Sequence, residues 1–206
     1  SASKIKNLKK DFPKNALIKQ VDLTNPNQLK KFINECISKF KKIDILIVNA
    51  GIYEPSTILK GNPDNWDKVV SLNLSSVFRI INLVIPSMKK NNFGDIAITS
   101  SVSGHQSIYW EPIYSATKHA IQSFAHGLRV EVSKYNIRVI SIAPGIVLTE
   151  LWGINPKKDN NTITKKTKKG DALAVEDVVD CFEFALSRPR HVTLRDIVVL
   201  PRNQNI

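Results

Sequence analysis

Short apolar stretches alternate with longer stretches of helical periodicity along this chain, and this alternation limits most strongly the folds that it can adopt. We predict strands over residues 16–24, 43–51, 95–101, 137–145 and 196–200. Helical patterns fill the intervals at 26–39, 64–89, 112–134 and 175–186. Apolar strands that alternate with helices are typical of a parallel sheet covered on both faces. The sequence therefore predicts an α/β fold with a doubly wound parallel sheet.

The composition is that of one soluble domain. The chain has 206 residues, of which 42% are hydrophobic and 23% charged. We find no signal peptide and no apolar run near the roughly 20 residues of a membrane span, so we expect a cytoplasmic protein without a membrane partner. Cys36 and Cys181 form no spaced pattern, which indicates free thiols. The four histidines show no ligand spacing, so no metal site is expected.

The net charge of +12 raises the possibility of a nucleic-acid partner. The charge comes from 23 lysines and seven arginines, concentrated at 4–42 and 155–171. No aromatic residues are interleaved with the lysines in the second of these segments. We therefore interpret them as solvated surface and expect no nucleic-acid partner, although an anionic ligand such as a phosphorylated cofactor also fits the charge.

Polar and small residues follow the predicted strands. They are Asp22, Asn49-Ala50-Gly51, Ser100-Ser101, Pro144-Gly145 and Thr149. Because ligands of parallel α/β sheets bind at the carboxyl ends of the strands, these residues are expected to line one crevice. Each also has a purely structural interpretation, as a helix cap, a turn or a strand terminator.

Tyr114 and Lys118 stand four residues apart in a predicted helix, so their side chains share one face. A tyrosine has a pKa near 10 and is a poor base at neutral pH. We expect the Lys118 ammonium and a cationic oxidised nicotinamide to favour the phenolate of Tyr114. Lowering its pKa by about three units requires about 4 kcal/mol, after which Tyr114 can exchange a proton with an alcohol or a carbonyl.

Several motifs in order resemble the short-chain dehydrogenase/reductase family of the single-domain type. Ser101 lies thirteen residues before Tyr114, and Asn73 lies in the middle of the preceding long helix. The resemblance covers essentially all of the chain. It implies a Rossmann-like fold and an NAD(P)-dependent interconversion of an alcohol and a carbonyl. It implies that Tyr114 is the general acid/base, that Ser101 holds the substrate oxygen, and that Asn73 ties a water chain to Lys118.

The resemblance also implies the cofactor contacts. Asp22 would contact the adenine, Asn49, Ala50 and Gly51 would border the cofactor, and Tyr114 and Lys118 would face it. The stretch Pro144-Gly145 would lie near the nicotinamide carboxamide, with Ile146 acting through its backbone and Thr149 through its hydroxyl. A small-molecule substrate would be walled by Ile108, Tyr109 and Trp110, and residues 155–171 would form a flexible lid.

The C-terminal stretch RPRHVTLRDIVVLPRNQ resembles members that act on 3-hydroxy acids with NADP. Together with the phosphate-friendly Ser1, Ser3 and Lys4, it favours NADP over NAD. The helices around Asn73 and Tyr114 form subunit interfaces in the family, so a homodimer or homotetramer is expected.

The glycine-rich motif of the family, Thr-Gly-x-x-x-Gly-x-Gly, is absent from the sequence, together with the strand–helix–strand unit that contains it. Without that unit the strand at 16–24 would lack a neighbour and the strand at 43–51 would expose an apolar edge. We therefore expect the native chain to be longer. The alternative is a catalytically inactive relative that serves as a binding or scaffold protein.

Overall fold

The computed structural model describes residue 12 and residues 15–155 and 158–205. A four-stranded parallel sheet forms its centre, with the strands in the order β1-β2-β3-β4. The strands are β1 (Ile45–Val48), β2 (Gly94–Thr99), β3 (Ile137–Pro144) and β4 (Asp196–Val199). In register, Ile45 lies opposite Asp95, and Ser141 lies opposite Asp196. The prediction of an α/β fold with a parallel sheet is confirmed.

Helices occupy the intervals between the strands. They are α1 (Pro26–Phe40), α2 (Pro63–Val70), α3 (Ser76–Lys90), α4 (Pro112–Val132), α5 (Asn160–Lys169) and α6 (Val175–Leu186). Asn25 caps α1 by accepting hydrogen bonds from the backbone of Asn27 and Gln28, and Pro26 supplies the first helical residue. The helical predictions at 26–39, 112–134 and 175–186 agree with these bounds to within two residues.

A π-helical turn at Ser71–Ser75 joins α2 and α3 into one helix over Pro63–Lys90. Among the described residues this is the segment with the length and apolar composition to cross a membrane. In the structure its buried side chains, which include Val77, Ile81 and Val84, belong to the main hydrophobic core. The same composition therefore serves here to cover one face of the sheet.

The core lies on both faces of β2 and β3. All eight residues of β3 are buried, and α3 and α4 cover one face. Helix α6 covers the other face, where Ala97, Ile140 and Ile142 pack against its apolar side. In β1 the burial alternates, and Ile45 and Ile47 are 49% and 50% exposed. The prediction that this strand is covered on both faces is therefore wrong for the described part of the chain.

Residues 16–24 form no strand, which corrects the prediction made from their apolar pattern. In the described residues β1 has only β2 beside it, and residues 16–24 pair with no strand. A strand needs a ladder partner for its backbone groups, and an apolar pattern alone does not supply one. The segment instead leads through a turn at 23–24 into the cap of α1.

Residues 155–171, predicted as a long polar lid, contain helix α5. The helix ends at Gly170, whose φ of 87° is the left-handed conformation that glycine adopts easily. Arg202 and Asn203 donate hydrogen bonds to the carbonyl of Lys169 at 2.9 and 3.0 Å. No residue of α5 is buried, so the helix has no apolar stripe that a sequence pattern could reveal.

A buried ion pair lies at the end of the sheet where β2 and β3 begin. Asp95 at the start of β2 accepts hydrogen bonds from Arg138 Nε at 2.7 Å and Nη2 at 3.0 Å. Arg190 Nη1 approaches the same carboxylate at 2.7 Å. Arg138 also donates to the carbonyl oxygens of Leu186 and Val192, so it ties the connection between α6 and β4 to the sheet.

Candidate active site

Asn73 holds the loop that follows β1. It lies in the π-helical turn, an arrangement that recurs at functional sites. Its Oδ1 accepts a hydrogen bond from the Ile52 amide at 2.9 Å, and its Nδ2 donates to the Ile52 carbonyl at 2.8 Å. A Cβ on Gly51 would lie only 3.2 Å from Asn73 Oδ1, so the close approach favours glycine. Asn73 thus positions the Asn49-Ala50-Gly51 turn.

Ser101 opens a tight turn after β2. Its Oγ accepts a hydrogen bond from the Ser103 amide at 3.2 Å and thereby caps the 3₁₀ helix Val102–Gly104. Gly104 packs against α4, and a Cβ there would lie 2.7 Å from the carbonyl oxygen of Lys118. The absence of a side chain at Gly104 therefore lets the turn that carries Ser101 lie directly against the helix that carries Lys118.

Tyr114 and Lys118 lie on α4, as the spacing predicted, and both are buried. Lys118 Nζ is 5.6 Å from the centroid of the Tyr114 ring. The same nitrogen donates a hydrogen bond to the carbonyl of Thr99, the last residue of β2, at 3.1 Å. The structure thus brings Ser101, Tyr114 and Lys118 together at the carboxyl end of β2.

Burial raises the pKa of Tyr114 to about 12, while the neighbouring Ser101 hydroxyl acts to lower it and the Glu111 carboxylate acts to raise it. Burial lowers the pKa of Lys118 to about 8. In the protein alone, burial outweighs the effects that lower the pKa of Tyr114. The lowering expected from Lys118 together with a bound cationic nicotinamide stays a prediction. Lowering the pKa of Tyr114 from about 12 to 7 requires about 7 kcal/mol of stabilisation of the phenolate. Starting from the ordinary value of about 10, it would require about 4 kcal/mol.

A second polar cluster lies beside these residues. Glu111, which is 4% exposed, precedes α4. Its carboxylate accepts hydrogen bonds from Tyr53 Oη at 2.5 Å and from Ser103 Oγ at 2.6 Å. Ser101 Oγ donates to Ser103 Oγ at 3.2 Å, and the ring of Tyr53 meets the ring of Tyr114 edge to face at 4.9 Å. Sequence reasoning missed this cluster because residues 53, 103 and 111 share no spacing.

The described residues fit the nicotinamide end of a dinucleotide. The buried Lys118 ammonium has three donors, and Thr99 O is the one hydrogen-bond acceptor that the described part of the chain gives it. Asn49 and Ala50 are exposed after β1, and Thr99 Oγ1 donates to Asn49 Oδ1 at 2.8 Å. The free ammonium donors can bind hydroxyl groups of a ligand, and the small exposed residues leave room for a ligand beside the strand end.

The loop after β3 is tied to the C-terminus. The Ile146 amide donates to Gln204 Oε1 at 2.9 Å, and the Ile146 carbonyl accepts from the Leu173 amide at 2.8 Å. A Cβ on Gly145 would collide with Gln204. Thr149 caps a 3₁₀ turn at Glu150–Trp152. Ile146, which was predicted to act through its backbone, thus has its amide engaged by Gln204, a residue that was not assigned to the site from the sequence.

The three residues predicted to wall the substrate, Ile108, Tyr109 and Trp110, differ in their surroundings. The amide of Ile108 lies 3.4 Å from Ser115 Oγ, whereas Tyr109 is 81% exposed. Trp110 borders a cavity of about 500 Å³ that is also lined by Glu54, Ser56, Lys60 and Asn62. Trp152, from the turn after Thr149, packs on Tyr53 with the ring centroids 5.1 Å apart. This contact was not predicted from the sequence.

Asp22 lies in a turn rather than at the end of a strand. Its Oδ1 accepts hydrogen bonds from the amide and the hydroxyl of Thr24 at 2.9 and 2.7 Å. These two bonds lower the pKa of Asp22. Its proposed contact with adenine stays a prediction. Ser1, Ser3 and Lys4 lie outside the described residues, and within those residues no group of three His, Cys, Asp or Glu side chains could hold a metal.

Comparison with known proteins decides the family. Residues 1–160 match the family described as short chain dehydrogenase. This chain is a short-chain dehydrogenase/reductase. Relatives of this dehydrogenase include an uncharacterized oxidoreductase of Staphylococcus saprophyticus, which is 31% identical over 186 residues. That alignment covers 88% of this chain and 73% of the relative. An uncharacterized oxidoreductase of Staphylococcus haemolyticus is 28% identical over 202 residues, which are 98% of this chain and 83% of that protein.

Solved structures agree with this family. A closed form of a serine dehydrogenase complexed with NADP⁺ superimposes with a TM-score of 0.88 at 26% identity. The superposition covers 99% of this dehydrogenase and 83% of that chain. The serine dehydrogenase of Escherichia coli, at 24% identity, gives a TM-score of 0.85 over 100% of this chain and 85% of its own, which shows the fold. The prediction of an enzyme that carries out NAD(P)-dependent oxidoreduction is confirmed.

Proposed function

We propose that this dehydrogenase interconverts an alcohol and a carbonyl on a small molecule, with Tyr114 as the general acid/base. The observation that carries the proposal is the convergence of Ser101, Tyr114 and Lys118 at the end of β2. A bound nicotinamide supplies or accepts the hydride in such a reaction. Lys118, Asn49, Ala50, Gly51 and Thr149 are the residues that would hold its nicotinamide half.

The protonation states favour Tyr114 as a proton donor in the unliganded protein. With the pKa of Tyr114 raised to about 12, its phenol is neutral throughout the physiological pH range. Ser101 can orient a carbonyl oxygen toward that phenol, since the two side chains are within hydrogen-bonding reach. With a pKa of about 8, Lys118 is mostly charged at pH 7 and stabilises the phenolate that forms when Tyr114 gives up its proton.

Replacing Tyr114 tests this role. The variant Tyr114→Phe keeps the ring contact with Tyr53 and removes the transferable proton, so kcat should fall about 10²–10⁴-fold with little change in cofactor affinity. Tyr135→Phe, at a tyrosine in the 3₁₀ turn Ser133–Tyr135, is the matched control and should retain activity. Turnover by Tyr114→Phe at the wild-type rate would refute the mechanism.

The choice of cofactor is proposed to be NADP. The resemblance of the C-terminal stretch and the basic N-terminal segment support this preference. A kcat/KM at least tenfold higher with NADPH than with NADH is the expected result, and the reverse order would overturn it. Binding of either cofactor without turnover of any alcohol or carbonyl would instead support a non-catalytic binding or scaffold protein.

We also propose a cytoplasmic homodimer or homotetramer without a nucleic-acid partner. The helices around Asn73 and Tyr114 expose apolar side chains that an interface would cover, including Val70 at 39% and Val130 at 64%. Rings of Phe78 and Phe124, one from each helix, lie 4.5 Å apart beside them. Light scattering should give a mass of two or four chains, and a monomer at micromolar concentration would contradict the proposal.

A further inference from the structure

Glu111 places a carboxylate in the wall of the site without an ion-pair partner among the described residues. Its side chain accepts two short O–H···O bonds, from Tyr53 at 2.5 Å and from Ser103 at 2.6 Å. Bonds of this length from two hydroxyl donors are typical of an ionised carboxylate. No Lys, Arg or His forms an ion pair with Glu111 in the described part of the chain. The two hydroxyl donors satisfy the carboxylate oxygens by hydrogen bonding without adding a positive charge.

The charge acts on the position where the substrate reacts. Glu111 contacts Ser101 through a single intervening side chain, Ser103. Its other partner, Tyr53, packs against the ring of Tyr114. The field of the carboxylate therefore reaches the space between Ser101 and Tyr114, and its effect on the pKa of Tyr114 is in the direction that a nearby negative charge requires. Because the site is buried, this field is screened less than the field of a surface charge.

We propose that Glu111 is a specificity-determining residue that selects against anionic substrates and favours uncharged or cationic alcohols and carbonyls. The inference rests on the proposed function, because it assumes that the substrate reacts between Ser101 and Tyr114. It distinguishes the substrate from the hydroxy acids that the C-terminal resemblance implies. The lysines of α5 do not offset Glu111, since every lysine of that helix is exposed to solvent and screened by salt.

Three secondary alcohols with one carbon skeleton test the proposal: 3-hydroxybutanoate, 3-hydroxybutanamide and 4-amino-2-butanol. They carry a negative, no and a positive charge at the same end. For the wild-type protein with its cofactor, kcat/KM for the anion should be at least about tenfold lower than for the amide. The amine should equal or exceed the amide. Equal values for the anion and the amide, or a preference for the anion, would overturn the inference.

The variant Glu111→Gln keeps the shape of the side chain and removes its charge. It should bring kcat/KM for the anion to within about threefold of the amide, whereas a merely structural role would lower both values together. Glu131→Gln, an exposed position at the far end of the same helix, is the matched control and should keep the wild-type discrimination. An undiminished discrimination in Glu111→Gln would refute the role of this charge.

Equilibrium binding separates this inference from the proposed function. If none of the three alcohols is oxidised, the proposed reaction fails for these compounds, and their affinities are read from tryptophan fluorescence, to which Trp110 and Trp152 contribute. The charge inference then requires the anion to bind at least about tenfold more weakly than the amide. Equal affinities, or no binding by any of the three, would overturn it. The order of the three affinities is measured on the wild-type protein. The inference can therefore be refuted even if Glu111→Gln does not fold.

Discussion

Gly104 is the residue at which a single methyl group should disturb the site most selectively. In Gly104→Ala the new Cβ would lie 2.7 Å from the backbone oxygen of Lys118 and 3.0 Å from Ser100 Oγ. Ordinary contact begins at 3.4 Å, so the turn that carries Ser101 and helix α4 must separate by about 0.7 Å. Neither neighbour can yield cheaply, since one is helix backbone and the other is a buried hydroxyl.

The expected cost of this separation is about 1–3 kcal/mol of unfolding free energy, the usual range for overpacking. A displacement of somewhat less than 1 Å between Ser101 and Tyr114 should lower kcat/KM by about 10–100-fold. Urea denaturation measures the first quantity, and the rate of NADPH consumption measures the second.

Gly127→Ala is the matched control for this experiment. Gly127 lies on the same helix with nothing within 4 Å of a Cβ, so alanine should leave activity unchanged and stabilise the protein by up to about 1 kcal/mol. Wild-type stability and activity in Gly104→Ala would refute the close packing of the Ser101 turn against α4.

Three further predictions concern Lys118, Asp95 and Gln204. Burial lowers the pKa of Lys118 from 10.5 to about 8, so between those pH values the folded state holds fewer protons than the unfolded state. In urea titrations the stability of the wild type, relative to that of Lys118→Met, should therefore rise by about 2 kcal/mol between pH 7.5 and 9.5. No relative change in stability would contradict this prediction. Asp95→Asn should cost about 3–5 kcal/mol by leaving the Arg138 charge uncompensated, and a loss below 1 kcal/mol on chemical denaturation would count against the ion pair. Gln204→Ala should remove the hydrogen bond that holds the Ile146 loop, lowering stability by about 0.5–1.5 kcal/mol and weakening cofactor binding in a fluorescence titration. An unchanged Kd would remove Gln204 from the site.

Three elements of the fold show how far local pattern reaches. Helix α6 was predicted at its observed bounds because its apolar residues recur at helical spacing over a sheet face. Helix α5 was not predicted, because its stability comes from contacts with Arg202 and Asn203 rather than from an apolar stripe. The apolar stretch 16–24 was predicted as a strand and is not one, because a strand is defined by its neighbour.

The sequence by itself determined the family and with it NAD(P)-dependent oxidoreduction, because the motifs that carry the resemblance are local residue patterns. Helical spacing also fixed that Tyr114 and Lys118 share one face of α4. Only the tertiary structure decided the electrostatics of that site. Desolvation, which no local pattern encodes, raises the pKa of Tyr114 and lowers that of Lys118. The tertiary structure also placed Glu111 between Tyr53 and Ser103, which are distant from each other in sequence. Side chains from separate loops meet only when the sheet is assembled.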